Sequence, residues 1–165
     1  MSVRVQEPDF DLGAEVRRLT AGRSDIGAVV TFTGTVRGED GEGDSITDMT
    51  LEHYPGMTEA ELERIEAEAH RRWPLQASLI IHRHGSLHPG DNIVLVVTAS
   101  RHRHAAFEAA AFLMDFLKTR APFWKKETRR DGSGGWVDAR EADDGALHRW
   151  QAGEPAPLAQ SKAAE

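Results

Sequence analysis

The chain has 165 residues, with 27 Asp or Glu against 20 Lys or Arg, a formal charge of −7, and no cysteine. That length suits one domain, which buries roughly 68–70% of its unfolded surface and so needs no metal or disulfide staple. The missing cysteines exclude a disulfide scaffold, a thiolate metal site, a Cys nucleophile and a CxxC redox pair, while the acidic balance argues against generic nucleic-acid binding.

The stretch Met1–Asp11 is too polar for a signal peptide. The longest strongly apolar run, Ile93–Val97, falls far short of the roughly 20 residues a membrane span takes, so a soluble, cytoplasmic protein is expected. Asp11–Leu19 reads as a short helix capped by Asp11, with Leu12, Val16 and Leu19 on one face and Gly22 just beyond. Ile26–Val36, rich in Val, Ile, Thr and Phe, reads as a strand. Gly38–Ser45 (GEDGEGDS) buries nothing and reads as a mobile loop. Ile46–Tyr54 is a second strand, ended by the Pro55-Gly56 turn.

Thr58–Trp73 is the clearest helix, with Leu62, Ile65, Ala69 and Trp73 at helical spacing, a Thr58/Glu61 capping box, a Glu68–Arg72 pair and Pro74 as the stop. Ala77–His84 and Asn92–Ala99 read as strands joined by a Pro89-Gly90 turn; the second is apolar on both faces and so belongs in the middle of its sheet. His104–Thr119 is a second long helix with a wide apolar surface that includes Phe107, so it is expected to be largely buried. Pro122 ends it, Phe123–Arg130 is a strand, Asp131–Gly135 a hairpin loop and Trp136–Ala139 the return strand. From Ala152 no apolar period remains, which predicts one domain over residues 1–150 and a disordered tail over 151–165. The hairpin-length connections favour α+β with antiparallel pairing over a doubly wound parallel sheet.

The charge is unevenly spread. Arg101–Arg130 holds eight Lys or Arg and only three acids, a window of +5 that leaves −12 elsewhere. Such a segment favours a pocket for a small anion over a broad polyanion surface, or else marks a solvated helix face. Within it, Ser100-Arg101-His102-Arg103-His104 lies between a strand end and a helix start, where backbone N–H groups attract anions and basic side chains are out of place unless an anion joins them. Lys118 ends the buried helix and Lys125 begins the next strand, so the proline turn can aim both ammonium groups into one cleft. Arg37, between Gly34 and Gly38 at a strand end, can also face a ligand. His82 and His84, two apart on a strand, raise a rival zinc site completed by His88, His102 or His104, although no HExxH motif is present.

Four segments resemble one family, the large, catalytic subunit of molybdopterin synthase: FTGTVRG (Phe32–Gly38), LEHYPGM (Leu51–Met57), SRHRHAAFEAAAFLMDFLKTRAPFWKKE (Ser100–Glu127) and GWVDAR (Gly135–Arg140). KTRAPFWKKE is the specific element, and the order fits along roughly residues 3–150. The resemblance implies an α/β-hammerhead fold with antiparallel sheet pairing and two long helices. It also implies a homodimer within a heterotetramer, completed by a small ubiquitin-like sulfur carrier whose Gly-Gly end bears a thiocarboxylate. The implied reaction is two sulfur transfers onto cyclic pyranopterin monophosphate, giving the dithiolene of molybdopterin, with no cofactor and no metal.

By the same resemblance the active-site lysines fall on Lys118 and Lys125, the substrate-binding residues on Arg37, His102 and Arg103, and a residue contributed by the other protomer on Arg140. The chain's chemistry agrees: a sulfur-transfer enzyme without cysteine must receive sulfur from elsewhere, and thiocarboxylate and phosphate are both anions. Arg suits bidentate phosphate binding, and Lys is the titratable point charge. The competing reading is a non-catalytic dimeric module that binds an acidic peptide tail in the same basic cleft.

Overall fold

The computed structural model describes residues 2–39, 45–137 and 141–151. The elements run β1 (Val3–Gln6), α1 (Leu12–Thr20), β2 (Ala28–Thr35), β3 (Ile46–His53), α2 (Met57–Arg72), β4 (Leu75–Arg83), β5 (Gly85–Leu87), β6 (Asn92–Ser100), α3 (Arg103–Thr119), β7 (Phe123–Arg129), β8 (Gly134–Val137) and α4 (Glu141–Gln151). Two four-stranded sheets form, in the orders β1-β4-β6-β2 and β5-β3-β7-β8. Every pairing is antiparallel except that of β1 with β4. This is the α+β class that the hairpin-length connections predict.

The first sheet is covered on both faces, and β6 shows why its apolar run is continuous. Its Val94 and Val96 pack with Ile80 of β4, with Leu62, Ile65 and Ala69 of α2, and with Phe112, Leu113 and Leu117 of α3. Its Leu95 and Val97 point the other way, to Leu79, Ile81 and Phe10, under Val16 and Leu19 of α1. Period-2 alternation thus feeds two cores at once. A third cluster, of Val36, Met49, Leu51 and Leu87 with Ile93 against it, fills the space between the sheets. Each large apolar side chain buried in this way contributes about 1.5–3 kcal/mol.

Several local expectations need correction. The α2 N-cap is Gly56, whose N–H donates to Glu59 Oε2 at 2.7 Å, so Thr58 and Glu61 form no capping box. Thr58 is fully buried: its hydroxyl accepts from Tyr54 N at 2.9 Å and donates to Pro122 O at 3.1 Å. Glu61 instead pairs with Arg64. Glu68 does pair with Arg72, as the spacing predicts. The link from β4 to β6 is more than a turn, because β5 leaves the first sheet to pair with β3 in the second. Phe107 is 60% exposed, on the face of α3 turned away from its core.

Two more elements lie outside the sequence reading. β1 adds a parallel edge strand to the first sheet. α4 places Leu147 and Trp150 in the first core, with Trp150 Nε1–H donating to Asp115 Oδ2 at 2.5 Å. The acidic residues 40–44 of the predicted loop, residues 138–140 and the tail 152–165 lie outside the described residues.

Phe112 stands at the centre of this packing, in contact with the rings of Trp73, Phe116 and Trp150. Phe112→Ala should lower the unfolding free energy by about 3–5 kcal/mol in urea melts, whereas Phe107→Ala should change it by less than about 0.5 kcal/mol. Equal losses would contradict the placement of α3.

Candidate functional site

A cavity of about 330 Å³ opens where the two sheets and the C-terminal end of α3 converge. Part of its wall is apolar, built from Val36, Met49, Leu51, Ile93, Leu117 and Phe123. Into it come Arg37 from the end of β2, Lys118 from the last turn of α3 and Lys125 from β7. The proline turn expected to bring the two lysines together does so. It is pinned from α2 by the Thr58 hydroxyl on Pro122 O and from α3 by Arg120 N and Ala121 N, which donate to Phe116 O at 2.8 and 3.2 Å.

Lys125 lies in a regular ladder, opposite Val137 of β8 and Leu51 of β3, so its side chain is fixed on the inner face of the second sheet. Two residues on, the same alternation brings Glu127 to that face, where its Oε1 lies 3.1 Å from Lys125 Nζ.

His82 forms the wall between the sheets. It lies two residues beyond Ile80 on β4, on the α3 side, and its ring stacks on Phe123 of β7 with centroids 3.6 Å apart and planes 16° off parallel. Its Nδ1 is 2.8 Å from Arg83 O. A carbonyl can only accept, so Nδ1 carries a proton, and in the neutral ring the lone pair is on Nε2. Burial pushes the imidazole pKa down to about 4; the bond to Arg83 O works against that shift, and the charges of Lys118, His53 and His84 reinforce it. His82 and Glu127 are the site residues that sequence reasoning missed. His82 entered only as half of a zinc motif, and the period of β7 could have placed Glu127 beside Lys125.

The zinc alternative finds no geometry. His82 packs on Phe123, while His84 lies against the ring of His53 at 4.3 Å and near Glu7 at 3.9 Å. Among the described residues no group of three or more His, Asp or Glu is arranged to hold a metal ion.

His102 and Arg103 are not brought to this cavity. His102 is the N-cap of α3 and Arg103 its first residue, both exposed. Lys118 lies fifteen residues further along the same helix, about 22 Å at 1.5 Å per residue. Arg140 lies outside the described residues. The α3 N-terminus is held in place from behind. A Cβ at Gly27 would come within 2.2 Å of Arg101 O, so only glycine lets the chain pass there. Thr98 Oγ1 donates to Ala106 O at 2.7 Å.

Another cavity, of about 370 Å³, lies beside α1. Its Arg4 and Arg18 both pair with Glu15, at 2.6 and 2.9 Å, so one carboxylate already engages both guanidinium groups.

An α+β chain that brings three cationic side chains and one carboxylate into a partly apolar cavity is built to handle a small anionic molecule. Comparison with known proteins narrows the class: the MoaE protein family matches residues 5–120, and the chain belongs to it. It is 62% identical over 151 residues to a molybdopterin synthase catalytic subunit from Mesorhizobium japonicum, covering 91% of this chain and 93% of that one. The solved structure of the molybdopterin biosynthesis MoaE protein from Burkholderia ambifaria is 54% identical, superposes with a TM-score of 0.77 and covers 91% of this chain and 97% of its own. That of molybdopterin synthase from Staphylococcus aureus is 30% identical, with a TM-score of 0.75, over 82% and 96% of the two chains.

The neutral His82 gives the stability a pH signature. An unfolded imidazole protonates near pH 6.5, the folded one only near pH 4, so in that window the unfolded chain binds more protons. Unfolding free energy therefore falls as pH drops from 6.5 to 4, by up to about 3 kcal/mol from this group. His82→Phe, which keeps the stack and cannot protonate, should remove about 2 kcal/mol of the difference between urea melts at pH 6.5 and 4.5. Identical slopes in the two proteins would contradict a neutral, buried His82.

Proposed function

We propose that this chain is the catalytic subunit of a molybdopterin synthase, which receives sulfur from the C-terminal thiocarboxylate of a small ubiquitin-like partner and delivers it to cyclic pyranopterin monophosphate. The observation that carries the reading is the convergence of Arg37, Lys118 and Lys125 on one cavity, in a chain that belongs to the MoaE family and has no sulfur nucleophile of its own. The relatives' name, catalytic subunit, itself calls for a second subunit.

The chemistry follows from the charges. The thiocarboxylate sulfur of the partner's tail attacks a substrate carbon; a C–S bond forms there as that carbon's C–O bond breaks, the oxygen leaving on the phosphate or, once protonated, as water, and the tail stays attached as a thioester. Water then adds to the thioester carbonyl, the acyl C–S bond breaks, and the tail departs as a carboxylate while sulfur stays on the substrate. A second carrier repeats the sequence at the neighbouring carbon. Lys118, at the rim of the cavity, is assigned to the transfer centre, as proton donor and acceptor or as stabiliser of the tetrahedral oxyanion. Lys125, oriented by Glu127, positions substrate or donates a proton. Arg37 anchors the phosphate as a planar bidentate donor.

His102 and Arg103 fit the same assignment only across a homodimer, because within one chain they lie a helix length from Lys118. Arg140 is assigned with them to the second protomer. Residues 1–150 are taken as the functional domain, with the tail outside it. A cytoplasmic location goes with this reading; among the described residues no helix is long and apolar enough to cross a membrane.

The test is reconstitution. The purified chain, the thiocarboxylated small subunit and cyclic pyranopterin monophosphate should yield molybdopterin, detected as its fluorescent oxidised derivative. Lys118→Ala should reduce the rate at least about 100-fold and leave the urea melt within about 0.5 kcal/mol, since Lys118 is exposed. Retained activity would reject the role of Lys118. Stable capture of the partner's tail without product would favour the non-catalytic binding module.

A further inference from the structure

The cavity is one-sided in its hydrogen bonding. Arg37, Lys118 and Lys125 only donate, and the Glu127 carboxylate is engaged by Lys125 at 3.1 Å. A heterocycle that presents its own N–H groups there would meet few acceptors. His82 can supply one. Its Nδ1–H is committed to Arg83 O at 2.8 Å, which leaves the lone pair on Nε2. The hydrogen bond of the ring among the described residues is made by Nδ1 and not by Nε2; the side chain lines the cavity and the residue is only 8% exposed. The stack on Phe123 fixes the ring plane. The acceptor is therefore oriented before any ligand arrives, which lowers the ordering cost of binding.

We propose that His82 Nε2 is the substrate-orienting acceptor of this site, taking a ring or amino N–H of the pterin-like heterocycle while Arg37 and the two lysines take the anionic end. The inference rests on the function proposed above and deepens it. It assigns to His82 a direct contact with the ring, so that the donor pattern of the heterocycle and not its charge alone selects the substrate. Protonation would turn the acceptor into a donor. Burial and the charges of Lys118, His53 and His84 keep the ring neutral at physiological pH.

The experiment uses the full chain labelled with ¹⁵N-histidine and titrated with cyclic pyranopterin monophosphate, without the small subunit so that no turnover occurs. The His82 Nε2 resonance should start at the position of an unprotonated nitrogen and move upfield on saturation, while Nδ1 stays put. In the reconstituted assay, His82→Phe should raise KM for the pterin about 10-fold with little change in kcat, the pattern of a lost binding contact. His82→Gln, whose amide oxygen reaches toward the ε position, should recover part of that loss. A purely structural His82 would leave Nε2 unmoved and lower activity only in step with the melting temperature. If the wild-type chain turns over and Nε2 stays silent, the inference about His82 falls alone. If the wild-type chain neither binds nor converts the pterin, the functional reading fails and this inference with it. Should His82→Phe not fold, the titration of the wild-type chain still decides.

Discussion

Where the two sheets meet, the imidazole of His82 lies flat on the ring of Phe123. His82 belongs to β4, in the sheet that carries α1, α2 and α3, and Phe123 is the first residue of β7, in the other sheet. The stack fixes how closely the sheets approach at one end. Beside it the apolar side chains of β3 and the end of α3 leave the cavity open. Burial of the imidazole also fixes its charge, so a neutral group sits among cations. A protonated ring in that position would add a fourth positive charge to an enclosed space and meet the low dielectric without a partner.

The cations themselves are held by packing far from them. Lys118 stands at the cavity because the first core locks α3 just upstream of it, through Phe112, Leu113 and Leu117. Lys125 stands opposite because β7 is paired on both sides, with β3 and with β8. The turn between them is clipped by a buried threonine from a third element. None of these contacts touches an anion, yet together they place separate positive groups in one small volume. An anionic ligand relieves the mutual repulsion of those groups, which is a physical reason for a chain of net charge −7 to gather its cations here.

Much of this was legible in the residues. Period 3.6 located α2 and α3, the two-sided run Ile93–Val97 located the central strand, and Pro122 located the turn that joins the lysines. What failed was short or shared. β1 has four residues, and among the described side chains of α4 it is Leu147 and Trp150 that reach the core, too little for a periodic signal. Thr58 looked like a cap because Ser and Thr usually are, but its hydroxyl was needed by Pro122, 64 residues away, a pairing that local sequence cannot carry. His102 and Arg103 lie about 22 Å along α3 from Lys118, so the motif by itself does not say which cavity they serve. His82 was invisible as a site residue because its role depends on Phe123, a partner distant in sequence.

The central claim is that the cavity between the sheets receives the pterin. A crystal structure of the chain with cyclic pyranopterin monophosphate tests it most directly. The account predicts the ligand between Arg37, Lys118 and Lys125, with its ring edge at His82. A ligand in the cavity beside α1, against Arg4 and Arg18, with the space between the sheets empty, would contradict it.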